Sequence, residues 1–205
     1  MRKLKVTEMN RLSVEQFKQA RKLPLIVVLD DVRSRYNVGA VFRCGDAFRV
    51  EAIWLCGITA TPPDAEIHKT ALGGEDSVDW RYFESTEDAL HELHKQQRFV
   101  YSVEQVEGST KLQDLDRELK TRASEANNMH QSDNPLPHLG STGYAVVFGN
   151  EVKGVKQSVV DLSDGCLEIP QFGTKHSLNV ASTVGIVMWE FAKQEIENKQ
   201  KRQSI

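Results

Sequence analysis

The chain has 205 residues, with 26 Lys and Arg against 29 Asp and Glu, a formal net charge of −3 and 40% hydrophobic residues. That length suits one domain with a core of its own, and the apolar fraction excludes a chain disordered throughout. The acidic balance excludes nucleic-acid binding by bulk charge, so any basic surface must be local.

The first nine residues are a polar lead without the apolar stretch of a signal peptide, which points to a cytoplasmic protein. Ser13 and Gln16 have capping-box spacing and open a short helix that ends before Pro24. Residues 25–29 (LIVVL) are a continuous β-branched run, the mark of a strand covered on both faces. Asn37 is placed to cap a helix through Val41, Phe42 and Phe48. A second strand is expected at 53–56 (IWLC). Ser85 opens a helix with Ala89, Leu90 and Leu93 on one face. Further strands follow at 99–103 (FVYSV), 144–148 (YAVVF) and 166–169 (CLEI). Between them, residues 121–143 are rich in Ser, Asn, His, Pro and Gly and read as a long insertion loop. From Ser177 to about Asn198, Leu178, Ala181, Val184, Met188, Phe191 and Ala192 recur at helical spacing, and residues 199–205 form a charged tail. Strands alternating with helices predict an α/β domain with a mostly parallel sheet and helices on both faces.

No run is long enough to cross a bilayer. Cys44, Cys56 and Cys166 are odd in number and far apart, with no C-x-x-C, so reduced, unpaired thiols are expected and no metal site. His91 and His94 share a helix face, but nothing completes a ligand set around them. The glycine patterns of dinucleotide and P-loop sites are missing, as is the G-x-S-x-G elbow of hydrolases.

Ligands of open α/β sheets bind where the strands end. Three loops there combine glycine with polar residues: N-x-G-x-x-x-R at Asn37, Gly39 and Arg43; G-x-E-x-x-G at Gly149, Glu151 and Gly154; and I-P-x-x-G-x-x-x-S-L-N from Ile169 to Asn179. These motifs, in this order, resemble those of the SpoU/TrmH family of RNA 2′-O-ribose methyltransferases, within the SPOUT superfamily. The resemblance covers residues 24–194, with 121–143 unmatched, and frames a methyltransferase domain over 24–198 behind a lead of 23 residues. Two positions depart from the family pattern, Gln171 in place of Met and Cys44 in place of Thr.

The resemblance implies a C-terminal trefoil knot, S-adenosylmethionine as cofactor, tRNA or rRNA as substrate, and a homodimer whose neighbouring subunit completes the site. It implies Arg43 as the main catalytic residue, with Asn37, Glu151, Ser177 and Asn179 around it. Arg is almost always protonated, so a phosphate clamp or charge stabiliser suits Arg43 better than a base. Asn37 either holds Arg43 or the substrate, or simply caps its helix; Glu151 orients Arg43 or other site groups. Gly149, Ile169, Ser177 and Leu178 are implied around the cofactor, with Val103 and Glu104 as further candidates. Arg33, Arg35, Arg43, Lys153 and Lys175 are the expected RNA contacts. The lead is too short for a recognition domain, so the dimer surface and the insertion are expected to choose the RNA. A second reading keeps the knot and cofactor without catalysis, as an RNA-binding or assembly module. A third, an unrelated small-molecule enzyme, is disfavoured by the missing nucleotide motifs.

Overall fold

A computed structural model describes residues 1–5, 8–129 and 142–203. Seven strands form one sheet in the order β3-β2-β1-β6-β4-β7-β5, and every pairing is parallel. They are β1 (Leu23–Asp30), β2 (Val50–Cys56), β3 (Asp79–Phe83), β4 (Phe99–Val103), β5 (Thr110–Lys111), β6 (Tyr144–Phe148) and β7 (Gly165–Glu168). The helices are α1 (Val14–Gln19), α2 (Arg35–Phe48), α3 (Ala65–Ala71), α4 (Gly74–Ser77), α5 (Thr86–Lys95), α6 (Leu115–Met129), α7 (Gln157–Leu162) and α8 (Val180–Gln203).

The apolar runs become strands because both of their faces are covered. Val27, Leu29, Val146 and Phe148 point to one side, where α2 gives Val38, Val41 and Phe42 and α8 gives Val184, Val187, Met188 and Phe191. Ile26, Val28, Ala145 and Val147 point to the other, against Ala89, Leu90 and Leu93 of α5 and Val159 of α7. The molecule is therefore three layers thick, with the sheet in the middle. Gly39 lets α2 and α3 approach: a Cβ there would stand 2.1 Å from Thr70 Oγ1 and 2.2 Å from the Ile67 carbonyl. The three cysteines are free thiols, and burial pushes that of Cys56 up to about 12. Among the described residues no helix is long and apolar enough to cross a membrane.

Several expectations need correction. The cap of α2 is Ser34, whose hydroxyl accepts from the Asn37 amide; Asn37 sits inside the helix. Helix α8 begins at Val180, so Ser177 lies in the loop before it, and Asn179 caps the helix by accepting from the amides of Ala181 and Ser182. Residues 121–129 are not loop but the second half of α6. The remainder of the expected insertion, 130–141, lies outside the described residues. The tail is helical through Gln203, as the end of α8. Strands β3 and β5 are additions to the five expected.

Candidate active site

All parallel strands deliver their C-terminal ends to one edge, and the loops leaving β1, β4, β6 and β7 meet there. A cavity of about 420 Å³ opens between those of β4, β6 and β7. Its walls include all six cofactor candidates: Val103, Glu104, Gly149, Ile169, Ser177 and Leu178. Glu151, Lys153 and His176 line it as well.

The loop after β6 is tightly fixed. Asn150 and Gly154 exchange two backbone hydrogen bonds, of 3.0 and 2.9 Å. The Asn150 amide donates to the Asp31 carbonyl at 2.8 Å, while its oxygen accepts from the amides of Val152 and Lys153. Glu104 accepts from the Val155 amide at 3.0 Å, tying the same loop to β4. A Cβ on Gly149 would stand 2.0 Å from the Gly154 carbonyl carbon, so no larger residue fits without moving the backbone. Behind the loop, the buried Asp30 accepts from Thr86 Oγ1 at 2.6 Å and from the Lys156 amide at 3.2 Å.

Three residues, from the first turn of α2, the loop after β6 and the cap of α8, meet in a hydrogen-bonded chain. The Asn179 side-chain amide donates to Asn37 Oδ1 at 3.1 Å, and Asn37 Nδ2 donates to Glu151 Oε1 at 3.0 Å. Glu151 also accepts from the backbone amides of Ser34 at 2.9 Å and Arg33 at 3.0 Å, at the N-terminus of α2. Burial pushes the Glu151 carboxyl up, but these donors outweigh it and leave its pKa below the ordinary value. A carboxylate so engaged is a poor proton acceptor; it fixes the start of α2 against the loop after β6.

Arg43 is placed differently. It is exposed, does not line the cavity, and is not among the partners of Glu151 or Asn37. Six residues separate it from Asn37, roughly 9 Å along the axis and about 120° around it. Of the alternatives, Glu151 orients another site group rather than Arg43: Glu151 and Asn37 hold each other. The basic candidates also divide. Arg33 and Lys153 flank a second cavity of about 360 Å³ beside the first, whereas Arg35 faces Asp64 at 3.4 Å and Glu66 at 3.6 Å on α3. Lys175 is exposed on the loop before α8.

Sequence reasoning missed Gln105, which lines the cavity and donates through Nε2 to the His176 carbonyl at 3.2 Å, linking the β4 and β7 loops. It also missed Asn150, whose position inside G-x-E-x-x-G was the available signal. Among the described residues no cluster of His, Cys, Asp or Glu has the makings of a metal site.

Comparison with known proteins fits this geometry. The model of the SpoU rRNA Methylase family matches residues 24–189. A tRNA (guanosine(18)-2′-O)-methyltransferase of Aquifex aeolicus is 26% identical over 179 residues, 87% of this chain and 74% of the relative. A 23S rRNA (guanosine-2′-O-)-methyltransferase of Neisseria meningitidis is 24% identical over 178 residues, 87% of this chain and 62% of that longer protein. The crystal structure of the SpoU methyltransferase AviRb from Streptomyces viridochromogenes, in complex with AdoMet, superposes with a TM-score of 0.66 at 20% identity. It shares the fold over 87% of this chain and 63% of its own.

Proposed function

The chain belongs to the SpoU rRNA Methylase family and is an S-adenosylmethionine-dependent RNA 2′-O-ribose methyltransferase, and we propose that the cavity between the β4, β6 and β7 loops is where it acts on tRNA or rRNA. The Asn179–Asn37–Glu151 chain carries this reading, since it ties the three motifs into one site.

The cavity suits the cofactor. Its volume falls within the usual range for small-molecule sites. Val103, Leu167, Ile169 and Leu178 offer an apolar wall for the adenine ring. Glu104, Glu151 and Glu168 also line it and favour a ligand with a cationic centre. When bound, S-adenosylmethionine supplies a methyl group on a positively charged sulfur. Ser177 lies at the same wall, close to where the acceptor ribose must enter.

Asn37, Glu151 and Asn179 act as positioning groups that keep α2 and α8 in register with the cofactor loop. Arg43 holds the phosphate beside the target ribose and stabilises charge on the 2′-oxygen as that oxygen takes the methyl group and gives its proton to solvent water. Because Arg43 stands outside its own cavity, it serves a site completed by a second copy of the chain. The exposed Ile186 and Trp189 of α8 support such a homodimer. Arg33, Lys153 and Lys175 bind RNA phosphates. The insertion of β6 between β1 and β4 is compatible with a C-terminal trefoil knot. A cytoplasmic location completes the reading.

The test is calorimetric titration with S-adenosylmethionine, together with methylation of RNA from cells lacking the gene. Arg43→Ala should cut methyl transfer at least a hundredfold, the scale of a lost charge-stabilising group, while cofactor binding persists. Unchanged turnover would remove Arg43 from its role, and absent cofactor binding by the wild type would remove the reading as a whole.

A further inference from the structure

Resting on the methyltransferase reading, we propose that Phe172 is a stacking contact for an RNA base beside the methylated ribose. Phe172 is 98% exposed, in a chain whose other phenylalanines are buried or partly buried. It belongs to the loop between β7 and α8, and its neighbours Gln171 and His176 both line the cavity. The ring itself does not line the cavity but projects into solvent from a loop that does. The loop after β6, which lines the same cavity, has a similar composition: Val152, 78% exposed, lies beside Lys153. Each loop thus presents an apolar group with a lysine close in sequence, Val152 with Lys153 and Phe172 with Lys175. Flat apolar surface for bases combined with cations for phosphates is what single-stranded nucleic acid requires.

A second copy of this chain is the competing occupant, and the surroundings disfavour it. Between Gln171 and His176 the phenyl ring is the only apolar side chain, whereas protein interfaces gather apolar residues at their centre. The exposed face of α8, with Ile186 and Trp189, has that character instead. Phe172 is an almost fully exposed aromatic ring, and every base offers a π-face to such a ring.

The test uses the full chain with Phe172→Trp, Phe172→Leu and Phe172→Ala, and as RNA the pooled tRNA and rRNA of cells lacking the gene. Phe172→Trp should keep wild-type RNA affinity in filter binding and gain RNA-dependent quenching beyond that of the native tryptophans. Phe172→Leu and Phe172→Ala should weaken RNA binding about tenfold, within the range for a lost base–aromatic stack. All three should bind S-adenosylmethionine as the wild type does. Leucine performing as well as tryptophan would overturn the proposal, because bulk without a π-face would then suffice. A shift of Phe172→Ala toward monomer in sedimentation would also overturn it and assign the ring to the dimer. If the wild type binds S-adenosylmethionine yet methylates neither RNA pool, the functional reading fails on its own; filter binding and quenching still decide the stacking assignment.

Discussion

Two loops border the same cavity and are held in opposite ways. The loop at 149–156 is locked from within by Asn150 and from outside by Asp31, Glu104 and Asp30 at the end of β1. Residues 171–179 are exposed throughout, with Gln105 of the β4 loop and Asn37 of α2 bonded to them. The rigid wall keeps its shape before anything binds, so little ordering is left to be done on binding. The compliant wall leaves room for a large substrate to enter. A site that must take both a small molecule and a folded polymer benefits from one wall of each kind.

Substitutions can break this contrast. Gly149→Ala should do the most damage, since its Cβ would overlap the backbone at Gly154 and Val155. Overpacking of this kind costs about 1–3 kcal/mol, so melting should fall by several degrees and calorimetry should show cofactor affinity down at least tenfold. A variant that melts and binds normally would show that the wall is not rigid.

Glu151→Gln comes next. An amide cannot accept from the Arg33 and Ser34 amides with both of its ends, so one of these donors, the first exposed and the second half-buried, faces an N–H group. The expected loss is roughly 1–3 kcal/mol of stability with a fall in kcat, read by thermal melting and steady-state kinetics. The same carboxyl gives a pH signature. Its folded pKa lies below the ordinary 4.5, so its stabilisation is complete above the unfolded value and is lost as pH falls through the folded one. The stability difference between wild type and Glu151→Gln should therefore shrink below about pH 4.5. A difference constant down to pH 3 would discard the ion's part in the latch.

Gly173→Ala should do least. Nothing lies within 4 Å of its would-be Cβ, so stability should change by no more than about 0.5 kcal/mol and cofactor affinity not at all. A large effect there would mean that the compliant wall is more constrained than its exposure implies.

The buried strands could be read from sequence because their apolar runs are unbroken. Val27 and Val28 face opposite helical layers, so both must be apolar. Strand β3 escaped notice because it is an edge: Trp80 and Tyr82 stay exposed while Asp79 and Arg81 alternate with them. Helix α6 was hidden for another reason. Much of its anchorage is polar, with Glu118 accepting from Tyr101 at 2.8 Å and from Arg122, whose guanidinium stacks 3.7 Å from the Phe99 ring. Hydrophobic periodicity does not register such a link.

At the site, the motifs named the residues but not their connections. Local capping preference suggested Asn37 as an N-cap, yet Ser34 has the extended backbone that the role requires. The Asn37 side chain is claimed instead by Glu151, 114 positions later, and by Asn179, 142 positions later. Local rules cannot see partners that far away.

The strand order also constrains how this molecule is made. The middle of the sheet, β6, comes from residues 144–148, and β1 and β4 have no shared ladder until it slides between them. On a ribosome, the 45 or so residues from the end of β4 to the end of β6 take on the order of seconds to emerge. Throughout that interval β1, β2 and β3 form a half-sheet with a bare edge at β1, while β4 waits unpaired because β7, its other neighbour, has yet to be made; bare edges are the kind of surface on which nascent chains aggregate. A transcript broken before codon 144 would yield a product that lacks both β6 and β7, the two neighbours of β4.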